Sequence, residues 1–130
     1  MDKKLHVLLV EDRECDIELI KIELRKEGIE FAAKCADTQE AFIKAIEEFK
    51  PDIIISDYKL PLFDGSAALE IAQAKCPDVP FIFLTGVDEQ ELAEKALRKG
   101  AADYITKDQR PRLVPAIKRA LREAARRRNE

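Results

Sequence analysis

The sequence predicts a single α/β sandwich, a parallel sheet covered on both faces by helices. Short apolar runs alternate with stretches of helical spacing five times along 130 residues. The apolar runs are continuous rather than alternating, as expected of strands buried on both faces. The length suits one domain, 1–130, with one core. Each strand–helix–strand step then requires a right-handed crossover.

Residues 5–10, "LHVLLV", form the first strand and stop at Glu11-Asp12. Residues 14–27 follow with Ile17, Ile20 and Leu24 on one helical face, and Gly28 is the stop. "FAAKC" (31–35) is a weaker strand. Asp37 and Glu40 fit a capping box for a helix bearing Phe42, Ala45, Ile46 and Phe49, which Pro51 ends. Strand 52–56 leads through a loop to a short helix near 66–75 carrying Ala68, Leu69 and Ala72. "PFIFL" (80–84) is the fourth strand, closing at Thr85-Gly86. Asp88 and Glu91 suggest a second capping box, and Gly100 ends that helix. "ADYIT" (102–106) is the fifth strand. Pro115 is tolerated only at a helix start, so the last helix, 114–130, begins near Val114.

Composition excludes several classes. No apolar run approaches the roughly 18 residues that cross a bilayer. "MDKKLHVLLVEDRE" meets acids immediately after its short apolar stretch and does not read as a signal peptide. Cys15, Cys35 and Cys76 lack metal spacing and read as reduced thiols of a cytoplasmic protein. The net charge of −3 hides an asymmetry. Lys118–Glu130 holds six basic residues and two acids, net +4, leaving −7 for the remainder. This basic end suits a solvated helix C-terminus or the start of a linker better than a reader of DNA.

Ligands of open parallel sheets bind beyond the carboxyl ends of the strands. There the first strand delivers Glu11 and Asp12, the third Asp57, the fourth Thr85 and the fifth Lys107. Crowded carboxylates repel and need compensation, from Lys107, a divalent cation, or both. An all-oxygen set of this type suits Mg²⁺. With a hydroxyl and an ammonium added, the edge can hold a phosphoryl group. Asp57, at the end of the most apolar strand, "IIIS", is placed to carry that group covalently as an acyl phosphate. Periodicity does not supply the strand order.

At these residues the sequence resembles the receiver domain of two-component response regulators, over essentially the whole chain. "VLLVEDRECD" is similar to the family's acidic pocket, "IIISDYKLPLFDG" to its phosphorylation-site segment, and "FIFLTG" and "GAADYITK" to its last two motifs. The resemblance implies the flavodoxin-like (βα)5 fold with strand order 2-1-3-4-5. It makes Asp57 the phosphoacceptor. Asp12, Asp57 and the backbone carbonyl of Lys59 would bind Mg²⁺ directly, and Glu11 through water. Thr85 and Lys107 would contact the phosphoryl group, and Tyr104 matches the switch aromatic that turns inward when Thr85 moves. The implied function is a phosphorylation switch rather than an enzyme with turnover. A sensor histidine kinase or histidine phosphotransfer protein would be the donor. The surface of helix four, strand five and helix five would signal to an output domain or partner, and helices four and five could also form a homodimer.

Two departures stand out. Receivers usually carry proline after the lysine, often after a cis bond, but Asp108 follows Lys107 here. A cis bond without proline costs about 3 kcal/mol, so a trans bond and a different loop are expected. Lys59, two residues past the acceptor, is placed to modulate hydrolysis. It also argues against a phosphatase of the dehalogenase-like type, which would need a second aspartate there. The loop "LTGVDEQ" is too acidic and glycine-poor for a flavin phosphate.

Overall fold

The computed structural model describes residues 4–128, so Met1–Lys3 and the last two residues of the basic end lie outside the described residues. The strands are β1 (Leu5–Val10), β2 (Phe31–Ala36), β3 (Ile53–Ser56), β4 (Phe81–Thr85) and β5 (Asp103–Thr106). The helices are α1 (Glu14–Lys26), α2 (Gln39–Phe49), α3 (Gly65–Lys75), α4 (Gln90–Arg98) and α5 (Leu113–Arg128), with a 3-10 helix over Lys107–Arg112 before α5. All neighbouring strands pair in parallel, in the order β2-β1-β3-β4-β5. The fold class and strand order are those expected.

Strand residues divide by parity between two cores. Leu8, Val10, Ile54, Phe81, Phe83 and Tyr104 pack with Phe42, Ile46, Leu69 and Ala96 from α2, α3 and α4. Val7, Leu9, Ile53, Ile55, Ile82, Leu84 and Ile105 pack with Ile20 and Leu24 of α1 and Leu113, Val114 and Ile117 of α5. Both faces of the sheet are therefore buried. This explains strands that read as unbroken apolar runs. Each fully buried Leu, Ile or Phe contributes about 1.5–3 kcal/mol to folding.

The termination signals act as anticipated at two glycines. Gly28 follows α1 with φ +75° and Gly100 follows α4 with φ +110°, conformations open chiefly to glycine. Lys50 takes the same left-handed region, φ 52°, between α2 and Pro51, whose ring cannot continue the helix. Pro115 lies in the first turn of α5, where its missing N–H leaves no bond unmade.

The two capping boxes are not formed. α2 is capped by Thr38, whose Oγ1 accepts from the Ala41 amide at 3.2 Å, one residue later than Asp37. Thr38 is extended at φ −129° and ψ 159°, which puts its hydroxyl over the first turn. α4 has Glu89 at its start with no side-chain cap, so Asp88 has no such role. The chain entering α4 is held instead through Val87, as described below. Strand β4 extends through Thr85, and α5 starts one residue before Val114.

No helix among the described residues is long and apolar enough to cross a membrane. The three cysteines are free thiols. Leu8 is fully buried in the central strand, and Leu8→Ala is expected to cost about 2–5 kcal/mol. Urea unfolding checks this, with a lowered midpoint at unchanged slope.

Candidate phosphoryl site at the strand ends

Parallel register places the functional residues side by side. Val10 pairs with Ser56, so the next residues, Glu11 and Asp57, leave the sheet level with each other. The Asp57 amide donates to the Val10 carbonyl at 2.9 Å, extending the ladder to the acid itself. Thr85 pairs with Thr106, which brings Lys107 over the same edge.

Lys107 gathers the acids. Its Nζ donates to Asp16 Oδ2 at 2.7 Å, Glu11 Oε2 at 3.1 Å and Asp57 Oδ2 at 3.2 Å, which uses all three ammonium protons. The remaining oxygens are held by backbone. Asp57 Oδ1 accepts from the Tyr58 amide at 2.7 Å, and Glu11 Oε1 from the amides of Asp12 and Arg13 at 3.1 and 3.3 Å. Asp57 is thus oriented at both oxygens. Behind it the loop folds back tightly. The Gly65 amide donates to the Tyr58 carbonyl at 3.0 Å, and a Cβ on Gly65 would overlap the Asp57 carbonyl. Asp64 caps α3 by accepting from the Ser66 amide at 3.0 Å. Asp64-Gly65 is therefore a cap and a close approach, and Asp57 is not the cap of α3.

Two site residues had no place in the sequence expectation. Asp16, buried on α1, accepts from Lys107 and from Arg110 Nη2 at 3.1 Å. Arg110 Nη1 also donates to the Lys107 carbonyl at 3.0 Å. Asp16 stands four residues before Ile20 and eight before Leu24, on the buried stripe of α1, and that spacing was its signal. Arg110 gave none, because its position depends on the 3-10 turn. As expected, the loop after Lys107 departs from a proline turn and contains no cis bond.

Burial pushes the Glu11 carboxyl above its ordinary 4.5; the bond and charge of Lys107 pull it down, while the charge of Asp57 adds to the rise. Desolvation lowers the Lys107 ammonium, but its bonds to Asp16 and Glu11 and the charges of Glu11 and Asp57 outweigh this and leave it above the usual 10.5. Lys107 therefore contributes stability that is fully present below 10.5 and is lost only as pH rises through its higher folded value. Glu11 acts in the opposite sense, binding a proton more readily folded than unfolded, so its cost grows as pH rises above 4.5.

Thr85 and Tyr104 meet at one residue of the β4–α4 loop. Thr85 Oγ1 accepts from the Val87 amide at 3.2 Å, and the Tyr104 hydroxyl donates to the Val87 carbonyl at 2.6 Å. Tyr104 is turned inward, its ring 5.9 Å from Phe83 and 6.1 Å from Tyr58. Burial, then the neighbouring Tyr58 and acids, push its hydroxyl up to about 12, so it stays a donor. Asp12 and Lys59 are exposed and stand outside the ion cluster. Among the described residues no three Asp, Glu, His or Cys side chains form a metal-binding group.

The donor set nevertheless fits Mg²⁺, which is commonly held by one or two carboxylates with waters rather than by an all-protein cage. Glu11, Asp16 and Asp57 carry three negative charges against two positive on Lys107 and Arg110. Exposed Asp12 adjoins them, so the cluster keeps an anionic excess that a divalent cation would offset.

Lys107→Met leaves Glu11 and Asp57 buried without their cation. In metal-free buffer it is expected to cost about 3 kcal/mol at pH 7.5. The loss should shrink towards pH 5 as Glu11, then further raised, takes a proton. Urea unfolding at the two pH values checks this.

The response regulator receiver domain family matches residues 7–118. The transcriptional regulatory protein PdtaR of Mycobacterium tuberculosis (strain ATCC 25618 / H37Rv) is 37% identical over 121 residues, covering 88% of this chain and 56% of that protein. The chain thus spans about half the length of this relative. The chemotaxis protein CheY of Listeria monocytogenes is 32% identical over 117 residues, covering 89% of this chain and 98% of that one. The crystal structure of a CheY-like receiver domain protein from Methanospirillum hungatei JF-1 superimposes with a TM-score of 0.82 at 29% identity, over 96% of this chain and 99% of that one. With the sheet order and the acid–lysine edge already in view, these matches place the chain in the response regulator receiver domain family of two-component signalling.

Proposed function

We propose that the chain is a phosphoacceptor, switched by Mg²⁺-dependent phosphorylation of Asp57. The donor is a phosphohistidine on a sensor histidine kinase or a histidine phosphotransfer protein in the cytoplasm. An Asp57 oxygen attacks phosphorus, the O–P bond forms as the N–P bond breaks, and the imidazole leaves with the electron pair. Asp12, Asp57 and the Lys59 carbonyl would hold Mg²⁺, with Glu11 acting through water; bound there, the ion offsets the repulsion between the attacking and transferring anions.

The chain's own residues do the rest. The Tyr58 amide, at 2.7 Å from Oδ1, keeps the Asp57 carboxylate in a single orientation. Lys107 supplies the cation that accompanies the new phosphoryl oxygens. Thr85 exchanges its bond with the Val87 amide for one to the phosphoryl group. Because Tyr104 holds the carbonyl of that same residue, the β4–α4 loop moves with both. The altered surface of α4, β5 and α5 is read by an output domain or partner. The relatives named transcriptional regulators extend beyond the matched region, and output through a further domain is part of the proposal. DNA reading by these residues alone is not.

The observation that carries this reading is the meeting of Glu11 and Asp57 on the Lys107 ammonium at 3.1 and 3.2 Å. Acetyl phosphate with Mg²⁺ is expected to give a hydroxylamine-sensitive phosphoryl adduct by mass spectrometry. It should be absent after chelation and absent in Asp57→Asn. An adduct that persists in Asp57→Asn would put the acceptor elsewhere.

A further inference from the structure

The Arg110 side chain is unevenly used. Nη1 donates to the Lys107 carbonyl at 3.0 Å and Nη2 to Asp16 Oδ1 at 3.1 Å. Nε is buried and has no hydrogen-bond partner among the described residues. A buried donor left unmade is costly and calls for an acceptor. Nε and Nη2 form one edge of the guanidinium, the edge that grips a carboxylate with two parallel bonds. Only one of those bonds is made here. The second Asp16 oxygen, Oδ2, is held by Lys107 at 2.7 Å, the shortest of the three Lys107 contacts.

We propose that Asp16 and Arg110 are positioning residues that set how readily Lys107 transfers to the phosphorylated acceptor. In the resting chain Asp16 holds the ammonium. When Asp57 carries the dianionic phosphoryl group, Lys107 moves onto it and leaves Asp16 Oδ2. Arg110 Nε takes that oxygen, completing the two-bond grip with Nη2. A buried carboxylate is thereby never left bare, and the free donor finds its partner. Nη1, on the Lys107 carbonyl, keeps the backbone anchored while the side chain shifts. The inference rests on the Asp57 reading and adds residues that the resemblance does not assign.

The test uses the full chain, with beryllium trifluoride and saturating Mg²⁺ standing in for the acyl phosphate at Asp57. In ¹⁵N-labelled wild type, the Arg110 Nε–H resonance is expected to move downfield and exchange more slowly on loading. A resonance that does not move overturns the proposal. Arg110→Gln should raise the fluoride-complex concentration for half-loading about tenfold, because Asp16 then keeps Lys107. Asp16→Asn added to Arg110→Gln should bring it back to within about twofold of wild type, because no carboxylate remains to be orphaned. A double variant as impaired as the single one would mean that Arg110 only holds the turn, and the proposal falls. A single variant that loads like wild type also overturns it. Wild type that takes no fluoride complex at all overturns the Asp57 reading itself, and this inference with it. If Arg110→Gln does not fold, the wild-type resonance still decides.

Discussion

One ammonium among three carboxylates governs this molecule. Glu11, Asp16 and Asp57 come from α1 and from the ends of β1 and β3, and each has lost most of its water. Removing an ion from water costs several kcal/mol even after the protein relaxes. Lys107 returns part of that cost to all three at once, which only a group at their common centre can do. The β5 strand end, the 3-10 turn and the first turn of α1 are arranged around that requirement.

The compensation is incomplete, because three carboxylates face two cationic groups. A cluster neutralised by protein groups alone would exert no net attraction on a divalent cation. Here the anionic excess stays beside exposed Asp12, at the one edge where the backbone amide of Tyr58 already orients the Asp57 carboxylate. Low local dielectric strengthens each of these interactions and makes a missing partner expensive. Small changes of charge at Asp57 are therefore large perturbations of everything bonded to Lys107.

Thr85 and Tyr104 are joined through a shared backbone residue. Thr85 holds the amide of Val87 and Tyr104 its carbonyl, so neither side chain is independent of the loop. The aromatic packing of Phe83, Tyr58 and Tyr104 leaves the tyrosine few alternatives inside the core. Under the proposed phosphorylation of Asp57, this loop is the element that would carry a movement of Thr85 to Tyr104 and α4.

The number and order of the strands and α-helices were legible from apolar periodicity and from Gly28, Pro51 and Gly100, because burial of side chains along one strand or helix is a local pattern; the 3-10 helix Lys107–Arg112 was not. The collection of Glu11, Asp57, Thr85 and Lys107 at one edge followed from the same pattern, since parallel strands all present their carboxyl ends together. The strand order needed a family resemblance. The caps at Thr38 and Glu89 departed from the expected boxes, because neighbouring acids and hydroxyls compete for the same few amides and the winner depends on backbone angles. The spacing of Asp16 marked it as buried but not its partners, and Arg110 emerged only in three dimensions. Their bonds to each other and to Lys107 join residues up to 94 positions apart. Periodicity records which side chains leave water along one element; which polar groups then meet is decided by distances between elements, and only the folded chain sets those.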